Sequence, residues 1–272
     1  MNILVCIKQV PETQEVKIDR ASGTLLRDGI PTIINPDDKA GIEIALKLKD
    51  ENDDVTVTAI TMGSAQSEMA LREAIAMGVD KALLVTDKAF SGADTFATAA
   101  TLAGAIKGVD YDLVIAGRHT IDGETAQVGP ELAEHLGIPQ ITNCEDVHLE
   151  ANRIIAKRQF EDRYHVVEVK TPCLITVIGE KVAPRYMTVR GVFDAFRTSC
   201  EEELPRDKIT KLSLDDLKSR LDAGSVGLTG SPTEVEEIFE GNLKGIGEQL
   251  KELTPEEAAD AILDKLISKS FI

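Results

Sequence analysis

The chain has 272 residues, 43% of them hydrophobic and 28% charged, with a formal net charge of -17. Such a length and composition admit one large domain, or one domain with an extension, around a substantial core, while the acidic balance argues against a nucleic-acid or anionic-membrane surface. With no Trp and only 4% aromatic residues, a base-stacking platform for single strands is also disfavoured.

The first strand is expected over residues 3–10, "ILVCIKQV". Lys8 interrupts its apolar run, so no signal-peptide core is expected there. No apolar run approaches the roughly 20 residues of a membrane span, and a cytoplasmic protein, or one already matured, is expected. Residues 16–27, "VKIDRASGTLLR", read as a hairpin turned at Ala21-Ser22-Gly23. A helix is expected to begin at Asn35-Pro36, with Asn35 as cap, Pro36 in the first turn, and Asp37 and Asp38 at the positive end of the dipole. Strands at 55–62, 82–87 and 112–117 then alternate with helices near 69–77, 93–108 and 129–136.

This alternation predicts an α/β fold: an open, mostly parallel twisted sheet with helices on both faces. Ligands of such sheets bind beyond the carboxyl ends of the strands, where strand order reverses. Gly63, Gly117 and the stretch "KQVPET" (8–13) fall at those ends. From 144 to 178 three short strands of antiparallel character are expected to close one edge. Residues 201–253 are strongly acidic and polar, with one short helix capped at Ser213. Residues 254–269 form a clear terminal helix: Thr254 caps, Pro255 opens, and Glu257 completes a capping box. Its stripe of Ala259, Ile262, Leu263, Leu266 and Ile267 needs a surface to cover it, either the chain's own core or a partner subunit.

The four cysteines, Cys6, Cys144, Cys173 and Cys200, form no CxxC pair. A zinc knuckle or thioredoxin motif is therefore disfavoured, and buried reduced thiols are expected. His135, His148 and His165 are too scattered to suggest a metal site.

The stretch "DLVIAGRHTIDGETAQVGPELAEHLGIP" (112–139) is the most informative. Its strand stops at Gly117, and twelve small or polar residues follow before the next amphipathic pattern, more than a plain strand-to-helix connection needs. Gly117, Gly123 and Gly129 would let backbone N–H groups approach a ligand, Thr120, Thr125 and Gln127 add donors, and a helix start lies just beyond. The ensemble suits a phosphate or diphosphate. Neither GxGxxG after the first strand nor GxxxxGK[ST] is present, so a nucleotide would rest on several loops meeting at one sheet end: 8–13, 35–38, 62–66 and 117–129. "KQVPET" cannot cradle a triphosphate as the phosphate loop of an ATP-using enzyme would. A nucleotide-binding module without redox chemistry remains the other class of reading.

The ordered set "VCIKQVP", "INPDDKAGIEIALKLK", "AITMGSAQSEMALREAIAMGVDKALLV", the 112–139 stretch, and "TPCLITV" followed by "APRY" resembles the beta subunit of electron transfer flavoproteins, over about residues 2–197. The resemblance implies a heterodimer with an alpha subunit that carries a mobile flavin domain, and a nucleotide inside the beta-subunit core. In one branch that nucleotide is a structural AMP. In the other it is an FAD that accepts hydride from NADH and bifurcates the electrons, one to ferredoxin or flavodoxin and one through the alpha-subunit FAD towards an acyl-CoA dehydrogenase. "KQVPET" and "TIDGETAQVGP" resemble the second branch.

By position, the resemblance implies an adenosine half near Cys6, Asn35, Asp38, Met62, Gly63 and Ala65. It implies phosphates along Gly117, Arg118, Asp122, Gly123, Glu124, Thr125, Ala126, Gln127, Val128 and Gly129. The flavin ring and NADH would lie near Val10, Pro11, Glu12 and Thr13. No catalytic acid, base or nucleophile is implied, because hydride transfer is the cofactor's chemistry, and His119 is given a loop-structure role. "APRYMTVRGVFDAF" (183–196) resembles the loop that recognises acyl-CoA dehydrogenases, with Val189 as anchor and Val192 and Phe193 beside it. The implied division is a nucleotide-binding domain over 1–186, and a recognition loop and C-terminal arm wrapping the alpha subunit over 187–272.

Overall fold

The computed structural model describes residues 1–12, 31–196, 208–233 and 253–271, with the backbone alone at 18–19 and 24–25. In chain order the strands and helices are β1 (Asn2–Cys6), β2 (Gln9–Pro11), β3 (Ile18–Asp19), β4 (Thr24–Leu25), β5 (Thr32–Ile34), α1 (Pro36–Glu51), β6 (Thr56–Met62), α2 (Glu68–Met77), β7 (Lys81–Val85), α3 (Thr95–Ile106), β8 (Leu113–Gly117), α4 (Val128–Leu136), β9 (Gln140–Glu150), β10 (Arg153–Gln159), β11 (Tyr164–Lys170), β12 (Cys173–Val177), α5 (Val189–Phe196), β13 (Ile209–Leu212), α6 (Leu214–Leu217) and α7 (Pro255–Ser268).

Nine strands form one sheet in the order β11-β10-β9-β12-β8-β1-β6-β7-β13. Its centre, from β12 to β13, is parallel. β6 and β7 extend the sheet to one side of β1, and β8 and β12 to the other, so strand order reverses between β1 and β8. The expected mostly parallel α/β sheet is therefore present, and its switch point is defined. Successive residues of each central strand feed opposite faces. Ile3, Val5, Val57, Ala59, Leu113 and Ile115 pack with Ile42, Leu46, Leu71 and Ile75 of α1 and α2. Leu4, Cys6, Ile60, Val114 and Ala116 pack with Leu102, Ile106, Leu132 and Ala133 of α3 and α4. Burial on both faces explains why these strands read as continuous apolar runs.

Four expectations are corrected. Residues 3–10 are not one strand: after Cys6 the chain leaves the sheet, and Gln9–Pro11 pairs with Thr32–Ile34 in a separate ribbon. The edge after α4 has four strands, not three, the first of them starting at Gln140. Of these, β12 lies between β8 and β9 and is parallel to both; β10 alone pairs antiparallel with both β9 and β11. The "CLITV" run, with all five residues buried, is what an interior parallel strand requires. The polar region after 201 contains a strand that was not anticipated: β13 pairs parallel with β7 at the sheet edge. Asn35 does not cap α1 with its side chain; it is used elsewhere, as described below.

The hairpin is present as β3 paired with β4, although its turn residues, Ala21-Ser22-Gly23, lie outside the described residues, as do Thr13 and Cys200. Cys6, Cys144 and Cys173 are buried free thiols, each pushed up to about 12 chiefly by desolvation.

The chain divides into two compact units, residues 1–234 and 235–272. In the first, two aspartates hold the segment that returns to the sheet. Asp87 accepts hydrogen bonds from Ala89 N and Leu214 N at 3.0 and 3.1 Å. Asp94 caps α3 through Ala97 N and accepts from Thr233 N and Oγ1. The short helix at Ser213 carries its capping box with Asp216. In the second unit α7 has the expected capping box of Thr254 and Glu257. Ile262, Leu263, Leu266 and Ile267 are 38–54% exposed.

The loop "APRY" is fixed by a buried carboxylate. Glu43, in the middle of α1 with its side chain only 6% exposed, accepts from Arg185 N and Nε at 2.9 Å and from Nη2 at 3.1 Å. These bonds raise the guanidinium pKa above its ordinary range. From this anchor the chain runs into α5, which packs on α2 and exposes Val189 (76%), Val192 (36%) and Phe193 (63%). Arg185→Met is expected to lower stability by about 3 kcal/mol by leaving Glu43 buried and unpaired. Adding Glu43→Gln should recover most of that loss in urea titrations; additive losses from the two substitutions would contradict the pairing.

Candidate functional site

The site is built at the carboxyl ends of β1, β8 and β12, and the first turn of α1 assembles it. Asp38 Oδ2 accepts from Lys8 N at 2.8 Å, just after β1, and Oδ1 accepts from Gly117 N at 3.0 Å, at the end of β8. Asp37 Oδ1 accepts from Gly179 N at 2.8 Å, just after β12. The two carboxylates, each only 5% exposed, thus bridge three strand ends across the switch point. Only glycine permits this approach: a Cβ on Gly117 would stand 2.2 Å from Asp38 Oδ1, and one on Gly179 would stand 2.8 Å from Asp37 Oδ1.

Burial dominates at Asp38. Desolvation raises its pKa from 3.8 to about 7, against the lowering effect of hydrogen bonds from Lys8, Asn35 and Gly117. Asn35, fully buried, donates from Nδ2 to His119 O at 2.8 Å and accepts from Ile121 N at 3.1 Å. Its amide therefore shapes the loop after β8. Lys8 adds a second clamp, with Nζ 2.8 and 2.7 Å from the oxygens of Asp122. At Asp122 desolvation pushes upward, but Lys8 and Thr120 outweigh it and hold the carboxyl below its ordinary range.

Beyond this clamp, residues 122–127 are exposed. Glu124 and Ala126 adopt the left-handed region, with φ of 51° and 55° on either side of Thr125. Non-glycine residues there cost of order 1 kcal/mol each and concentrate at ligand clamps. Alternating handedness turns successive N–H groups into a concavity suited to anions. Thr125 and Ala126 form no hydrogen bond among the described residues, so their donors are available to a ligand. A Cβ on Gly123 would meet only Thr120 Oγ1, at 3.5 Å, so this stretch is open. Gln127, whose Oε1 accepts from Thr95 Oγ1 at 3.3 Å, precedes α4. Val128 and Gly129 open that helix and bring its positive dipole end to the loop. Gly129 is buried against Thr176.

The remaining predicted residues separate into two groups. Cys6 and Met62 end β1 and β6, and Gly63 and Ala65 follow β6, so all four lie at the same sheet end as the loop. Val10 and Pro11 are buried in the β2–β5 ribbon, and Glu12 beside them is exposed. Lys8, Asp37 and Thr95 were missed as site residues, because their roles depend on residues 30 to 142 positions away. No group of His, Cys, Asp and Glu among the described residues could hold a metal ion, and no described helix is long and apolar enough to cross a membrane.

Comparison with known proteins identifies the family. Residues 22–199 match the electron transfer flavoprotein domain. The full chain is 50% identical to "Electron transfer flavoprotein subunit beta" of Clostridium acetobutylicum, with 100% of both chains covered. The chain belongs to the electron transfer flavoprotein beta-subunit family. Another member of this family, "Caffeyl-CoA reductase-Etf complex subunit CarD" of Acetobacterium woodii, is 47% identical with 100% of both chains covered. "Protein FixA" of Bradyrhizobium diazoefficiens is 37% identical, over 98% of this chain and 91% of its own. Membership makes the chain an electron-transport protein of the flavoprotein class.

Two outcomes are expected from this geometry. Gly117→Ala should lose about 2–3 kcal/mol in chemical denaturation, since the new methyl group has no room beside Asp38. The second concerns pH. The folded state holds the Asp38 proton up to about 7, whereas the unfolded chain releases it near 3.8. The folded protein therefore binds more protons between those values, and the Asp38 contribution to stability falls as pH rises through that window. Asp38→Asn should remove this slope, so the difference in stability between wild type and variant should change by a few kcal/mol between pH 4 and 7. A constant difference across that range would contradict it.

Proposed function

We propose that this chain binds FAD at the switch point, and that the bound flavin accepts hydride from NADH and divides the electrons between a low-potential carrier, ferredoxin or flavodoxin, and an alpha-subunit FAD that serves an acyl-CoA dehydrogenase. The carrying observation is the open, strained 122–127 stretch beside the start of α4, where Thr125 and Ala126 keep unused donors and small side chains leave room for a diphosphate and what extends from it. The family relation favours the same reading, since one relative is named as part of a caffeyl-CoA reductase complex and another, 41% identical, as "Acryloyl-CoA reductase electron transfer subunit gamma".

In this reading, backbone N–H groups of 125–129 and the guanidinium of Arg118 bind the diphosphate, while Asp38, Asn35 and Lys8 hold the loops that present them. Cys6, Met62, Gly63 and Ala65 border the adenosine. Val10, Pro11 and Glu12 lie towards the flavin ring and the NADH approach. When bound, the flavin supplies the hydride and single-electron chemistry; the chain contributes position and electrostatics. Residues 187–272 serve partners: Val189, Val192 and Phe193 engage the dehydrogenase, and the C-terminal arm wraps the alpha subunit. A cytoplasmic location accords with soluble partners of this kind.

Cofactor content tests the proposal. The chain would be co-expressed with its alpha subunit, the complex denatured, and FAD and AMP quantified per heterodimer. Two FAD and no AMP are expected. One FAD and one AMP would overturn the hydride-accepting reading and leave a conventional carrier with a structural nucleotide.

A further inference from the structure

The root of the loop contains a conflict over a single nitrogen. His119 Nδ1 accepts a hydrogen bond from Arg118 Nε at 3.0 Å. The same Nδ1 lies 3.1 Å from Asp37 Oδ2. An imidazole nitrogen either accepts with its lone pair or carries a proton and donates; it cannot do both. While Nδ1 serves Arg118, it faces Asp37 Oδ2 lone pair to lone pair. That oxygen is buried, its side chain 7% exposed, and receives no hydrogen bond among the described residues. Arg118 Nε approaches it only to 3.5 Å. An unsatisfied buried carboxylate oxygen is costly, and more so beside a bare ring nitrogen.

Arg118 is itself weakly held. Its Nη2 lies 3.7 Å from Glu180 Oε1, beyond hydrogen-bond reach, and its side chain is 30% exposed at the start of the 117–127 loop. A guanidinium with this freedom can turn to an anion seated on the loop, where planar bidentate bonds to phosphate oxygens are stronger than either present contact. Its departure would leave Asp37 without a nearby cation and Nδ1 without a donor. One change repairs both: a proton on Nδ1, donated to Asp37 Oδ2.

We propose that His119 is a positioning residue that couples ligand binding to Arg118: without an anion its bare Nδ1 holds Arg118 against Asp37, and when a diphosphate occupies the loop Arg118 turns to it and Nδ1 takes up a proton and bonds Asp37. The ring, 25% exposed, stays neutral: Nε2 releases its proton to solvent as Nδ1 takes one from solvent, so the step is an exchange of tautomer. The acidic and basic groups around this switch, among the described residues, are Asp37 and its neighbour Asp38 of α1, Arg118 of the loop itself, and Glu180 of the turn after β12. The proposal rests on the reading of 117–129 as a diphosphate cradle, and it deepens that reading by naming what stores and releases the arginine.

The probe is ADP, which carries the adenosine and diphosphate half of FAD, titrated into the full-length chain. Binding is followed by equilibrium dialysis, and the four histidines by 15N NMR of the ring nitrogens, with His119→Gln assigning the resonance. ADP should shift Nδ1 of His119 from the bare to the protonated signature. His119→Gln should bind ADP about tenfold more weakly, and Asp37→Asn should abolish the Nδ1 shift. ADP binding with an unchanged His119 signature would overturn the switch while leaving the cradle standing. Absence of ADP binding to the wild-type chain would overturn both. A weakened His119→Gln variant alone would not support the proposal, because a structural role predicts that too; the nitrogen signature decides.

Discussion

Two adjacent carboxylates at the start of α1 hold this architecture together at its functional end. Parallel strands release their chains at one edge of the sheet, and nothing in the sheet itself fixes where those chains go. Asp37 and Asp38 supply that fixing by accepting backbone N–H groups from the segments that leave β1, β8 and β12. The carboxylates are buried, so the bonds are strong, and their loss would leave costly unpaired groups on both sides. Sequence pattern alone assigns such residues to the helix dipole. Here the dipole is incidental to a three-way latch.

From the latch, order passes outward through contacts of decreasing rigidity. Asn35 is fully buried and shapes the backbone at His119 and Ile121. Lys8 and Asp122 form a partly exposed clamp one step further out. Beyond it the 122–127 stretch is exposed, carries left-handed backbone at Glu124 and Ala126, and keeps free donors. A rigid base with a strained, donor-rich tip is the arrangement expected of a pre-organised anion site. For the phosphate of the proposed ligand it would also answer the electrostatic difficulty of an acidic chain. A net charge of -17 repels anions at long range, but that field is screened within about a Debye length. In the proposed reading, backbone dipoles and Arg118 act on the phosphate at contact distance.

Other segments are held by the same device, buried or capping carboxylates that accept N–H groups. Glu43 inside α1 fixes the "APRY" segment through Arg185, so α5 emerges from a held position with Val189 and Phe193 exposed. Asp87 and Asp94 hold the returning segment up to Thr233, close to the end of the first compact unit at Glu234. A single helix, α1, therefore carries both the latch at its first turn and the anchor of the "APRY" segment in its middle.

The sequence by itself determined the α/β alternation, the parallel centre of the sheet, the cap at Ser213, the capping box of Thr254 and Glu257, and the family, because these depend on local periodicity, local caps and the order of motifs. It also located the 112–139 loop, since an unusually long small-residue connection is visible without a partner. It could not show that β12 lies inside the sheet, that β13 closes the far edge, or that β1 ends at Cys6. Strand neighbours depend on contacts between residues distant in the chain. Nor could it separate the glycines: Gly123 faces open space, whereas Gly117 and Gly179 make room for carboxylates 79 and 142 positions away. The contest between Arg118 and Asp37 for one nitrogen of His119 exists only where β8, α1 and the turn after β12 converge. A one-dimensional pattern records which groups a chain owns, and tertiary structure decides which of them must share.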